Sequence, residues 1–116
     1  MATPVDWEKA LQNADGSDEL LLELIELFND ERPEMMRQIR AAIDQRDPPA
    51  LRRTAHNLKG SARIFAAGGA VEAAQRLEDM GAEGDLSGAD ACWAELGQEV
   101  ERLTAALAEK ISRQET

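Results

Sequence analysis

An apolar stripe between Asp47 and Phe65 limits what this chain can fold into. Leu51, Ala55, Leu58, Ala62 and Phe65 recur every three or four residues, the spacing of one buried helix face. Asp47 supplies an N-cap, and Pro48 takes the first helical position, where its missing N–H costs nothing. A second stripe on the same segment runs Arg52, His56, Lys59, Arg63 and reads as its wet face. His56 is the only histidine in the chain, and Gly60 lies one turn beyond it on that face. A glycine inside a helix costs about 1 kcal/mol relative to alanine. Its presence beside His56 points to something that must approach the backbone closely.

The flanking segments also show helical periodicity. Thr3 and Pro4 form a start signal for a short first helix ending near Asn13, and Asn13 to Gly16 is a turn. Ser17 caps the next helix, with Asp18 and Glu19 in its first turn. Leu20, Leu21, Leu24, Ile25, Leu27 and Phe28 make a broad apolar face. Met36, Ile39, Ala42 and Ile43 continue it after Pro33, which implies a kink or brief break. After a turn at Ala66–Gly69, a fourth helix is expected from about Ala70 to Met80, ended by Gly81 as C′ residue. Ser87 and Asp90 resemble a capping box for a last helix over about 88–112. That helix turns Cys92, Trp93, Leu96, Val100, Leu103, Leu107 and Ile111 inward, and residues 113–116 form a frayed tail. The fold expected is all-α: an antiparallel, up-and-down four-helix bundle over 17–112 with a short extra helix over about 1–14, in one domain.

Charge narrows the function. Thirteen basic residues stand against 23 acidic ones, a net charge of −10. This opposes non-specific nucleic-acid binding. Yet the segment 47–66 has four cations, Arg52, Arg53, Lys59 and Arg63, against Asp47 alone. A positive patch on an acidic body points to an anionic partner surface or ligand group. No nucleotide-binding glycine loop is present. One His and one Cys cannot build a common zinc site. Cys92 is alone, so no internal disulfide forms. No stretch resembles a signal peptide or reaches membrane-spanning length. The expectation is a cytoplasmic protein or domain and, with no further apolar stripe to bury, a monomer.

The run Ala55-His56-Asn57-Leu58-Lys59-Gly60-Ser61-Ala62 resembles the signature of histidine-containing phosphotransfer (HPt) domains, helical phosphocarriers of multistep two-component relays. One position departs: the family usually has glycine about ten residues after the histidine, where this chain has Ala66. The resemblance implies that His56 accepts a phosphoryl group from a receiver-domain aspartate and passes it to another, with no kinase activity of its own. Lys59 would neutralise charge on the group in transfer, and Gly60 would leave room for the partner. Arg63 is a further candidate beside them, and Ser61 a small packing residue near the site. Gln75 or Glu78, one helix later, would orient the imidazole. The implied partners are response-regulator receivers and a hybrid sensor histidine kinase. No cofactor is intrinsic, because Mg²⁺ comes with the receiver. Two other readings use the same residues: a helical adaptor without chemistry, and the phosphoacceptor domain of a chemotaxis-type histidine kinase.

Overall fold

In the computed structural model, residues 3–115 are described, and they form five helices without a strand. These are α1 (Trp7–Asn13), α2 (Asp18–Asp44), α3 (Pro48–Ile64), α4 (Gly68–Glu83) and α5 (Ala89–Glu115). The long helices contact one another in a closed cycle: α2 with α3, α3 with α4, α4 with α5, and α5 with α2. The molecule is elongated, 46 × 27 × 21 Å.

Helix α3 starts where the sequence places it. The Asp47 side chain accepts from the Ala50 N–H at 3.2 Å, and Pro48 and Pro49 occupy the first turn. Leu51, Ala55, Leu58, Ala62 and Phe65 are all fully buried. Phe65 meets Phe28 of α2 edge-on, with ring centroids 5.7 Å apart, a favoured aromatic geometry. Ser17 caps α2 through the Leu20 N–H.

Several local expectations are corrected. The cap of α1 is Asp6, which accepts from the Lys9 N–H, not Thr3. Val5 is buried and the Asp6 N–H donates to the Phe65 carbonyl, so the chain is tied to the bundle before the helix begins. Pro33 lies inside an unbroken α2. Gly68 and Gly69 belong to α4 rather than to the turn before it. Gly81 is an interior residue of α4, and the left-handed residue that closes the helix is Gly84, at φ 75°. Ser87 donates from both N–H and Oγ to Asp85, which forms a turn in place of the capping box. Helix α5 runs to Glu115, past the expected end at 112. Cys92 is half-buried, and Trp93 is half-buried beneath the Arg40 guanidinium.

Ala66, the position where the family's glycine was expected, has φ 49°. That backbone conformation is left-handed, and a Cβ there costs about 1 kcal/mol. Ala66→Gly is expected to stabilise the protein by up to about 1 kcal/mol, raising its melting temperature by about 4 °C. Thermal unfolding followed by circular dichroism measures it.

Candidate functional site

The site is built by two helices. On α3, one turn of helix separates His56 from Lys59 and Gly60. On α4, Gln75, Glu78 and Asp79 share one face through i, i+3 and i+4 spacing. The side chain of His56 is 64% exposed, and its Nδ1 lies 2.9 Å from Glu78 Oε1. Burial pushes the Glu78 carboxyl up, but hydrogen bonds from Lys59 and His56 outweigh it and hold the group below the ordinary carboxylate range. Glu78 is therefore an ionised acceptor, and Nδ1 must carry the proton of the neutral ring. Nε2 then holds the free lone pair, and no hydrogen bond or ion pair among the described residues engages it.

Lys59 departs from expectation. The spacing placed it on the wet face, yet the residue is only 5% exposed. Its ammonium donates to Gln75 Oε1 at 2.9 Å and to Glu78 Oε2 at 3.1 Å, with Glu78 Oε1 also 3.0 Å away. Helical periodicity fixes the angle at which a side chain leaves its own helix, but not where the neighbouring helix stands. Here α4 covers that flank, and the flexible lysine stem carries its charge inward to a carboxylate. The charge of Lys59 is thus committed to Glu78.

Gln75 and Glu78, offered as alternatives, have different tasks. Glu78 contacts the imidazole. Gln75 accepts from Lys59 while donating through Nε2 to Asp79 at 2.8 Å. The result is a continuous chain, Asp79–Gln75–Lys59–Glu78–His56, in which each side chain limits the rotamers of the next. Asp79 was missed from the sequence: nothing in its spacing separates it from an ordinary solvated residue.

Gly60 is exposed, and a Cβ added there would meet nothing within 4 Å. Packing within the chain does not require this glycine. Ser61 faces α2, with its hydroxyl 3.8 Å from Met35 Sδ. Arg63 is exposed, and its side chain makes no ion pair among the described residues. At the end of α3, Asn13 donates to the Ile64 carbonyl at 2.9 Å. This satisfies an acceptor the helix leaves open. That contact joins residues 51 positions apart in the chain, and no local signal announces it. Among the described residues, no three His, Cys, Asp or Glu side chains are grouped to hold a metal ion. None of the described helices is long and apolar enough to cross a membrane.

The family model of the Hpt domain matches residues 23–106. This chain belongs to that family. The Hpt match contains both halves of the site, His56 on α3 and Glu78 on α4. A solved structure, the histidine-containing phosphotransfer protein B (HptB) of Pseudomonas aeruginosa PAO1, superposes with a TM-score of 0.89. It is 23% identical, and the alignment covers 97% of this chain and 98% of that one. At that identity the likeness speaks for the fold of this Hpt domain. No curated protein matches it in sequence. Family membership makes it a histidine phosphotransfer carrier of two-component signalling.

The depressed Glu78 carboxyl has a consequence for stability. Folding favours its ionised form, so its contribution is fully present above the ordinary value of 4.5 and is lost as pH falls through the lower folded value. Glu78→Gln leaves Lys59 buried without a counter-ion and is expected to cost about 2 kcal/mol at pH 7. Urea unfolding of both proteins over a series of pH values from 7 downward checks this: the difference between them should begin to shrink once pH falls below the ordinary value of 4.5 and go on shrinking as wild-type Glu78 takes up a proton.

Proposed function

We propose that His56 is the phosphoacceptor of a multistep relay, taking a phosphoryl group from the aspartate of one receiver domain and giving it to the aspartate of another. The observation that carries this reading is an exposed imidazole held by Nδ1 on an ionised carboxylate, so that Nε2 faces outward. In the forward step the Nε2 lone pair attacks phosphorus in line. The N–P bond forms as the acyl O–P bond breaks, and the electron pair of that bond returns to the aspartate carboxylate. The ring gains positive charge while Nδ1 keeps its proton, and Glu78 stands 2.9 Å away to stabilise it. Lys59 keeps Glu78 in place and ionised. This is a positioning role, instead of the direct contact with the phosphoryl group expected from the sequence. Gly60 leaves the approach to the imidazole open.

In this reading α2 to α5 form an antiparallel up-and-down bundle, supported by the short connections between them and by their cyclic contacts. Mg²⁺ belongs to the receiver and completes the transfer there. The partners are receiver domains and a hybrid sensor histidine kinase, met by a cytoplasmic monomer. The direct test is transfer from a panel of receivers carrying labelled aspartyl phosphate with Mg²⁺. Label should reach the chain and be lost in acid but kept in base. A panel that docks but never transfers would favour the adaptor reading.

A further inference from the structure

The cations of this chain are unevenly partnered. Arg37, Arg40, Lys59, Arg76, Arg102 and Arg113 each pair with a carboxylate. Arg32 donates to Thr104, and Lys110 lies over the Trp7 ring. Exposed and without an ion pair among the described residues are Lys9 on α1, Arg46 in the turn after α2, and the three arginines Arg52, Arg53 and Arg63, although the chain carries 23 acidic side chains. The three arginines all lie on α3, at i−4, i−3 and i+7 from His56. They therefore bracket the imidazole along about 16 Å of helix. Arg52 and Arg53 line a recess of about 360 Å³ together with His56, Asn57 and Glu78. On the other flank, α2 presents Asp30, Glu31 and Glu34 along a groove of about 600 Å³ that reaches Asn57 and Ser61. The face around His56 is thus divided into a cationic row on α3 and an acidic wall on α2.

From this division we infer that Arg52, Arg53 and Arg63 are the residues by which this domain selects and orients its receivers. They would contact carboxylates that rim the partner's phosphorylated aspartate. The inference rests on the phosphocarrier reading and specifies its docking surface. A receiver holds Mg²⁺ in an acidic site, so it brings carboxylates to the place where the phosphoryl group must meet Nε2. The acidic wall on α2 repels such a rim, which leaves the α3 row as its seat and fixes the orientation of the pair. Rows of exposed charge of this kind act mainly on association rate and on the rejection of wrong partners.

The test compares transfer to wild type, to Arg52→Glu/Arg53→Glu and to Arg102→Glu/Arg113→Glu, which changes net charge equally but lies on α5. The probe is a labelled, phosphorylated receiver with Mg²⁺, and the readout is rate against receiver concentration at low and high salt. The α3 variant should lose about tenfold or more in second-order rate at low salt while its saturating rate stays within about twofold. The α5 variant should follow wild type, and raising salt should slow wild type far more than the α3 variant. Equal second-order rates for the two variants would overturn the inference, as would a wild-type rate indifferent to salt. In those cases wild type still takes up label. A wild type that no receiver labels would instead remove the phosphocarrier reading beneath it.

Discussion

His56→Gln is expected to take up no phosphoryl group from any receiver, a loss of more than about 1,000-fold, and to remain folded. The lone pair of the glutamine amide nitrogen is delocalised into its carbonyl, so it is not a nucleophile. The amide can still donate a hydrogen bond to Glu78, and the Lys59–Glu78 pair does not depend on the imidazole. Because the histidine side chain is 64% exposed, its loss should change stability by no more than about 0.5 kcal/mol. The melting temperature then stays within about 2 °C of wild type. Affinity for an unphosphorylated receiver should change less than about threefold. Label remaining on the variant would mean a second acceptor. Loss of binding along with transfer would make His56 a docking residue rather than a carrier.

Gly81→Ala should destabilise the protein by about 2 kcal/mol and lower its melting temperature by about 8 °C. The sign is what matters here. Helix propensity alone predicts the opposite, since alanine is favoured over glycine by about 1 kcal/mol inside a helix. Tertiary contact decides otherwise: a Cβ at Gly81 would lie 2.5 Å from the Arg52 nitrogen, 2.7 Å from the Pro48 carbonyl and 2.9 Å from Arg52 Cα. These are backbone atoms of the first turns of α3, and they cannot swing aside. Helix α4 must back away from α3 at this point, and Glu78 lies one turn earlier on it. The variant should therefore also transfer phosphate more slowly than wild type at a temperature where both are folded. Thermal melts and transfer rates on one preparation check both effects. An equal or higher melting temperature would show that the two helices are free to separate here.

Gly81 also shows which features the sequence concealed. A glycine near the end of a helical pattern looks the same whether it supplies a left-handed turn or a close backbone approach. Gly84 does the first and Gly81 the second. Thr3-Pro4 carries the same start signature as Asp47-Pro48, but only the latter begins a helix. The burial of Val5 and the bond from Asp6 to Phe65 decide the former. Such outcomes depend on contacts across the bundle, which local patterns do not record. By contrast, the stripe of α3 was fully legible, because a 17-residue helix with one apolar face has only one way to bury it. His56 on the exposed side followed from the same periodicity. Glu78 was one of two candidates, and a distance separates it from Gln75. The inward turn of Lys59 could not be read, because a long, flexible side chain is free to follow a carboxylate that only the neighbouring helix supplies.

The most direct test of the account is to see which ring nitrogen of His56 carries the phosphoryl group after transfer from a receiver. Nitrogen-15 NMR of the loaded, ¹⁵N-labelled protein distinguishes the two. The account predicts phosphorus bonded to Nε2, with Nδ1 still protonated and hydrogen-bonded to Glu78. Phosphorus on Nδ1, or on any residue other than His56, would contradict it, because the carboxylate that holds Nδ1 would then not be orienting the nucleophile.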